Sequence, residues 1–270
     1  MPFTQLHIYS KVLRQEQQIW AILPDLKAFD APDKKFRTLW LMPSGSCDFT
    51  DWERHSDIEN MAKARDLVVI VPGLYKSTGT NMAMGPHYAE FVAKELPEIL
   101  RLMFKFMSDR REDNFISGFS NGGFACFYIA MNYPECYGAV GGLAAGDKCD
   151  ANWTNRPWTQ RVPQYGEGDF SQTMYSYKFA AKHWVDEGKS VPRVFHAYGE
   201  LDPWRTDNEL ARDFFLSYKN QGDPFCYEWL MVPGEGHNFR MCEKGLEAFF
   251  DYLKLPVIDP RTREVLRAFS

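Results

Sequence analysis

A serine flanked by glycines stands where a short apolar segment gives way to a helix-like run. The segment is GFSNGG, in which Gly118 and Gly122 lie two positions before and after Ser120. Residues 114–118 read as a strand, and the residues that follow Ser120 read as a helix. A sharp strand-to-helix turn that needs glycine on both sides of a serine holds a nucleophile toward substrate. The alternative interpretation is a tight turn that contains a serine by coincidence.

A serine hydroxyl is a weak nucleophile unless a base removes its proton, so a histidine is required. The histidines after the serine are His183, His196 and His237. His237 stands in PGEGHNF, a glycine-flanked loop between a predicted strand and the last predicted helix, and loops at that edge of a sheet carry function. His183 falls in a predicted amphipathic helix and His196 in an apolar strand, where a structural role is expected. We therefore predict that His237 is the base.

The base in turn needs a carboxylate that holds its tautomer, and the carboxylate is expected in a loop between the serine and the histidine. Asp202 follows a predicted strand in the segment GELDPW, where the proline fixes a turn. Glu200 is the alternative, and Asp207 is typical of a helix N-cap. We favour Asp202. The resulting order of serine, aspartate and histidine along the chain is the order found in α/β-hydrolases.

The predicted elements would bring these residues to one edge of a sheet. Three strand-like segments follow each other first and predict an initial antiparallel meander. Strands then alternate with helices, which predicts a mostly parallel sheet covered by helices on both faces. Ligands of such sheets collect at the carboxyl ends of the strands, where the candidate residues lie. The first strands are predicted at residues 3–10, 17–23, 36–42 and 67–71, and the first helices at residues 51–65 and 88–107, the latter kinked at Pro97.

Composition narrows the class of protein. The 270 residues fit one α/β domain that spans residues 1–270, with a lid-like insertion at about residues 146–168, which is polar and rich in Trp, Pro and Gly. The net charge of −5, without a run of Lys and Arg, argues against a nucleic-acid partner. No stretch approaches 18 apolar residues and the first residues lack the pattern of a signal peptide, so we expect no membrane partner and a cytoplasmic protein. The six scattered cysteines are expected to be reduced.

Together these motifs resemble the putative esterase branch of the α/β-hydrolases, which includes tributyrin esterases, esterase D or S-formylglutathione hydrolases, and feruloyl and acetyl-xylan esterases. The resemblance extends from about residue 38 to residue 255. It implies an α/β-hydrolase fold and a serine carboxylesterase in which Ser120 is the nucleophile, His237 the general base and acid, and Asp202 its orienting partner. The segments that carry it are WLMPSGSCDFTDW, DLVVIVPG, HYAEFVAKELPEIL, GFSNGGFACF, YGELDPW and PGEGHNF.

One segment departs from the pattern of this family. An acyl-transfer intermediate needs two N–H donors for its oxyanion, one from the residue after the nucleophile and one from the loop after an early strand. Asn121 is expected to supply the first donor. Members usually carry His-Gly in the early loop, whereas this chain has Pro43 and Ser44 there. We expect the second donor to be Gly45 N–H, with Ser46 behind it, and the alternative is that PSGS is merely a turn.

The resemblance implies hydrolysis through an acyl-enzyme, without a metal or organic cofactor. The expected substrates are small-molecule esters with short-chain acyl, acetyl or feruloyl groups, those of carbohydrates among them. The same triad would serve an acyltransferase or a peptidase, and a non-catalytic binding protein on a hydrolase fold is a further alternative. A homo-oligomeric state is also compatible with the sequence. Aromatic side chains that are candidates for substrate binding are Tyr75, Trp153, Trp158 and Trp204.

Overall fold

An eight-stranded sheet forms the centre of the molecule. The structure is a computed structural model that describes residues 2–24, 33–45, 47–150 and 161–258. Its strands lie side by side in the order β1-β2-β4-β3-β5-β6-β7-β8. The strands are β1 (Phe3–Ser10), β2 (Gln15–Ile22), β3 (Thr38–Met42), β4 (Val68–Pro72), β5 (Asn114–Phe119), β6 (Ala139–Leu143), β7 (Arg193–Gly199) and β8 (Glu228–Val232).

The predicted combination of an antiparallel start with a parallel remainder is confirmed. Strand β1 pairs antiparallel with β2, and β2 pairs antiparallel with β4. All pairs from β4 through β3 to β8 are parallel. The third predicted strand differs from a simple meander, because β3 lies between β4 and β5 inside the parallel part. All five residues of β3 are buried, as expected for a strand that is covered on both faces.

Helices cover both faces of the sheet, and two of them differ from their predictions. The predicted helix at residues 51–65 is two short helices, and the predicted helix at residues 88–107 ends at Met103 and contains a π-helical turn. Pro97 follows that turn and cannot donate to the carbonyl four residues earlier, so the regular ladder is interrupted there. The helices are α1 (Asp51–His55), α2 (Ile58–Lys63), α3 (Tyr88–Glu90, π-helical Phe91–Glu95 and Leu96–Met103), α4 (Asn121–Asn132), α5 (Arg161–Tyr165), α6 (Tyr177–Asp186), α7 (Arg205–Leu216) and α8 (Phe239–Tyr252).

The core has two parts, one on each face of the sheet. Trp40 and Met42 of β3 pack into one part, whereas Leu39 and Leu41 of the same strand pack into the other. Helix α4 is buried from Gly122 to Met131. The helix that follows Ser120 is therefore fixed by packing along most of its length. Among the described residues, no helix is both long and apolar enough to cross a membrane.

His196 occupies the structural position that the sequence predicts for it. It lies on β7 with no exposed surface, and its Nε2 is 3.0 Å from Asn208 Oδ1. Its Nδ1 lies 3.5 Å from the Tyr227 hydroxyl. Burial lowers the pKa of His196 from 6.5 to about 4, because the interior disfavours the imidazolium.

This lowered pKa predicts a loss of stability in mild acid. Below pH 6.5 the unfolded chain takes up a proton at His196, whereas the folded protein does so only near pH 4. The contribution of this group therefore falls by about 2 kcal/mol between pH 7 and pH 5. Urea unfolding of the wild type and of His196→Gln at both pH values measures it. The variant is expected to be less stable at pH 7 and to lose less stability than the wild type on acidification; equal losses would contradict the assignment.

Candidate active site

Ser120 lies at the turn between β5 and α4 in a strained backbone conformation. Its φ is 58° and its ψ is −113°, in a region that side chains other than glycine rarely adopt. Its N–H donates to Leu143 O at 2.8 Å, and its carbonyl accepts from Phe124 N at 2.9 Å. Hydrogen bonds on both sides therefore hold the strain in place, and the half-buried serine stands at the carboxyl edge of the parallel strands.

The three glycines around Ser120 are required by close packing of backbone. A Cβ on Gly118 would lie closer than 3.0 Å to the carbonyl of Gly122, and one on Gly122 would clash with the carbonyls of Met42 and Pro43. A Cβ on Gly123 would lie 2.6 Å from Leu143 O. These contacts join the turn to β3 and β6 on either side. The segment GFSNGG therefore has the geometry of a nucleophile elbow.

The tightest of these approaches gives a stability prediction. Gly122→Ala would press a methyl group against two backbone carbonyls that cannot move aside, so we expect a loss of about 3 kcal/mol in the free energy of unfolding. Gly236→Ala is the matched control, because its Cβ would find its nearest neighbour, Leu201 O, at 3.7 Å. Chemical denaturation of both variants measures the difference. Similar losses in the two variants would show that the elbow tolerates a side chain.

His237 and Asp202 form a hydrogen-bonded pair at the same edge of the sheet. Asp202 follows β7, its carboxylate is fully buried, and its Oδ2 lies 2.8 Å from His237 Nδ1. Its other oxygen accepts from Trp204 N at 2.8 Å. Because the buried carboxylate accepts from Nδ1–H, Nε2 is left as the proton acceptor of the ring. The His237 side chain is 17% exposed and so remains accessible.

The other two carboxylates considered from the sequence have different places. Glu200 Oε2 accepts from Gly234 N at 2.9 Å, so it braces the loop that leads to His237. Asp207 is buried in the first turn of α7, which begins two residues before it rather than at it. Of the three, Asp202 is the carboxylate whose hydrogen bond to the histidine is present. His183 lies on α6 beside Trp184, as the helical prediction implied.

Aromatic rings link His237 to the serine turn and to the early loop. The imidazole lies 4.6 Å from the ring of Phe119, the residue before Ser120, and 4.5 Å from the ring of Trp204. Phe239 packs 5.4 Å from Phe119. On its other sides Phe239 lies 5.3 Å from Trp52 and 5.1 Å from His55, both on α1. Sequence analysis missed Phe119 and Phe239, although each adjoins a candidate residue or its loop.

The loop after β3 is fixed by helix α1 and lies against Asn121. Ser44 N donates to the buried carboxylate of Asp51 at 2.8 Å, and Trp52 Nε1 donates to Met42 O at 2.9 Å. A Cβ on Gly45 would clash with Asn121 Nδ2, so the loop backbone touches the side chain of the residue after Ser120. The expected oxyanion donors, Gly45 and Asn121, are therefore neighbours.

Ser46, which was expected behind Gly45, lies outside the described residues. Sequence analysis also missed Asp51 and Trp52, although both belong to the quoted segment WLMPSGSCDFTDW. The sequence pattern that could have identified them is an acidic residue followed by an aromatic residue, within ten positions of the loop that they support.

A cleft of about 470 Å³ opens beside Asn121. The residues that line it have polar or charged side chains, although more of the exposed wall is apolar than polar, and the rings of Tyr75 and His55 are among them. Trp204 instead packs edge-on against His237. Trp153 and Trp158 lie outside the described residues, as do residues 151–160 of the predicted insertion. The cleft is lined by Cys47, Asp48, Thr50, Asp51, Arg54, His55, Tyr75, Lys76, Thr78 and Asn121.

The mostly parallel sheet with helices on both faces and a glycine-packed turn at Ser120 defines an α/β-hydrolase. The family model described as putative esterase matches residues 10–214. The chain belongs to this family and is a carboxylic ester hydrolase.

Known proteins of similar sequence or structure agree with this assignment. An acetyl esterase of Caldicellulosiruptor saccharolyticus is 25% identical over 273 residues, which cover 94% of this chain and 98% of that protein. The fluorophosphonate-binding serine hydrolase F of Staphylococcus aureus superposes with a TM-score of 0.84 at 24% identity, over 93% of this chain and 98% of its own. An S-formylglutathione hydrolase of Staphylococcus aureus gives a TM-score of 0.79 at 25% identity, with the same coverage.

Proposed function

We propose that the protein is a serine carboxylesterase that hydrolyses short-chain acyl esters of polar, hydroxylated alcohols. In this proposal Ser120 is the nucleophile, His237 the general base and acid, and Asp202 its orienting partner. The observation that carries the proposal is the 2.8 Å hydrogen bond between buried Asp202 and His237, whose ring packs against the residue before the strained Ser120. A triad with this chain order is the one used by α/β-hydrolases.

The proposed reaction has two steps. His237 Nε2 takes the proton of Ser120 Oγ as this oxygen attacks the acyl carbon, and the imidazolium is stabilised by Asp202. The N–H groups of Asn121 and Gly45 bind the oxyanion, and His237 then returns the proton to the departing alcohol. In the second step His237 activates a water molecule, which releases the acid from Ser120. In this scheme each proton passes through His237, which Asp202 orients, and the two N–H groups stabilise only the charge on the oxyanion.

The lining of the cleft supports the substrate class. Thr50, Thr78, Asp48 and Arg54 are among the residues that line a space of about 470 Å³ beside Asn121. Such a surface suits an alcohol that is rich in hydroxyl groups, such as a sugar, better than an alkyl chain. The relation to an acetyl esterase supports a short acyl group. A feruloyl group is the alternative, for which Tyr75 would supply a ring surface.

A pair of substrate series tests this proposal. In p-nitrophenyl esters from acetate to octanoate, with the ferulate alongside, kcat/KM is expected to fall at least about tenfold from acetate to octanoate. An acetylated xylo-oligosaccharide is expected to be hydrolysed faster than hexyl acetate. Preference for octanoate or hexyl acetate would contradict the substrate class, and acyl transfer to an added alcohol in excess of hydrolysis would indicate an acyltransferase.

One variant tests whether the cleft binds the alcohol part of the substrate. Arg54→Gln is expected to lower kcat/KM for the acetylated oligosaccharide about tenfold while leaving p-nitrophenyl acetate nearly unchanged, because the smaller alcohol does not reach this wall. Arg110→Gln is the matched control, since Arg110 is exposed just before β5, at the opposite edge of the sheet. A parallel loss with both substrates would place Arg54 outside the alcohol subsite.

A further inference from the structure

A buried lysine contacts the residue that follows Ser120. Lys148 stands five residues after the end of β6, and 8% of its surface is exposed. Its ammonium donates a hydrogen bond to Asn121 Oδ1 and lies 5.4 Å from the centre of the Phe124 ring. A lysine is rarely buried to this extent without a specific partner, because taking the ammonium out of water is costly. The bond to Asn121 therefore places a buried lysine side chain next to the candidate oxyanion site.

The bond also fixes which way the Asn121 amide points. When protonated, Lys148 donates and cannot accept, so the ammonium selects the oxygen of the amide as its partner. Burial lowers the pKa of Lys148 to about 7, so this selection is complete below neutral pH. The Nδ2 group is then directed the other way, toward Gly45, where it occupies the space that a Cβ would need. The side chain of Asn121 thus lies between Lys148 and the loop after β3. These three residues follow β6, β5 and β3, which are adjacent strands of the sheet.

The turn that carries Lys148 is itself anchored. The carboxylate of Asp147 accepts from Cys149 N at 2.9 Å and from the Ser176 hydroxyl at 2.7 Å. Asp147 is fully buried, and Ser176 caps the N-terminus of α6. Lys148 therefore extends from a turn that is tied to a helix, so its ammonium is held at a defined place.

We propose that Lys148 is a positioning residue for ester hydrolysis, which acts through the Asn121 side chain to hold the Gly45 and Asn121 N–H groups at a fixed separation. This inference rests on the proposed function of the site. Oxyanion stabilisation depends on donors that are already in place when charge develops, so a support behind both donors changes the rate of the chemical step. The same contact acts on the loop that has Pro43 and Ser44 in place of His-Gly, because Asn121 Nδ2 lies against Gly45 while Asp51 accepts from Ser44 N.

A double-mutant cycle tests whether Lys148 acts through the Asn121 side chain. Lys148→Met keeps the length and apolar stem of the side chain but removes the donor, and Asn121→Met removes its partner. Each single variant is expected to lower kcat for p-nitrophenyl acetate about 10- to 100-fold with KM changed less than about threefold, as for an interaction made in the transition state. The double variant is expected to be no slower than the slower single variant, because both substitutions remove one chain of contacts. Lys182→Met, an exposed lysine on α6, serves as the control with unchanged rate.

Two results would overturn the inference. Wild-type kcat in Lys148→Met would do so, and so would a double variant whose loss equals the product of the two single losses. If Lys148→Met does not fold, Asn121→Asp decides, because it keeps the contact with Lys148 and replaces Nδ2 by a carboxylate oxygen; wild-type kcat in that variant would equally exclude a role for the directed amide. The wild-type rate in the same assay separates the two proposals, since an inactive wild type would contradict the proposed function itself and, with it, this inference.

Discussion

Replacing Ser120 by alanine is expected to lower kcat for p-nitrophenyl acetate by about 10⁵- to 10⁶-fold. The substitution removes only the hydroxyl oxygen, and alanine meets the same backbone constraint at φ 58° as serine does, so the fold is expected to persist. Steady-state kinetics and the urea midpoint measure the two expectations together. Ser217→Ala, at the C-terminal end of α7, is the control, because its hydroxyl donates to Phe214 O in the preceding turn, away from the site.

A second measurement makes this prediction independent of trace activity from other enzymes. An alkyl fluorophosphonate is expected to add one phosphonyl group to the wild type and to Ser217→Ala, but none to Ser120→Ala, in intact-protein mass spectra. Labelling of Ser120→Ala at the wild-type rate would place the nucleophile elsewhere. Loss of labelling with retained ester hydrolysis would mean that hydrolysis does not pass through an acyl-serine at this position.

Asp202→Asn is expected to lower kcat by about 10⁴-fold. The amide nitrogen can donate to His237 Nδ1 where the carboxylate now accepts from it, which favours the tautomer whose Nε2 carries the proton and cannot act as a base. Glu200→Gln is the matched control, since it removes one negative charge two residues away on a side chain that binds Gly234 N. Its kcat is expected to stay within about threefold of the wild-type value.

The comparison of these two variants distinguishes the effect of the hydrogen bond between Asp202 and His237 from the effect of negative charge in this loop. Equal losses in Asp202→Asn and Glu200→Gln would show that negative charge in this loop, rather than the 2.8 Å hydrogen bond to His237, supports the rate. Unfolding measurements on both variants exclude a common loss of structure as the cause. Retention of wild-type kcat in Asp202→Asn would contradict the proposed role of this carboxylate.

The features that could be predicted from the sequence are those with a local cause. Glycines on both sides of Ser120 are needed because backbone atoms of neighbouring strands approach it, and this need is visible as a spacing of two. Alternation of apolar strands and amphipathic helices predicted the parallel sheet, which is confirmed. His196 could be assigned to the core because it lies in an apolar strand, and the structure shows it fully buried.

Features that depend on contacts between distant segments could not be predicted. Strand β3 lies between β4 and β5 although it precedes β4 along the chain, and its apolar run carries no marker of that position. Asp51 and Lys148 support the same loop and turn from positions about a hundred residues apart, and neither belongs to a local pattern that specifies a partner. The π-helical turn at Phe91–Glu95, inside the helix that was predicted at residues 88–107, likewise has no marker in the hydropathy pattern.

The cluster around Phe239 has a consequence for any redesign of the specificity of this enzyme. Its ring contacts α1, which lines the cleft beside Asn121, and also Phe119, which packs against His237. Because close-packed aromatic groups transmit displacements, we expect a change in the proposed alcohol site to displace the proposed base as well. Enlarging the cleft at His55 is therefore expected to lower turnover as well as to change selectivity. Engineering that begins at Arg54, which is outside the cluster, separates the two properties.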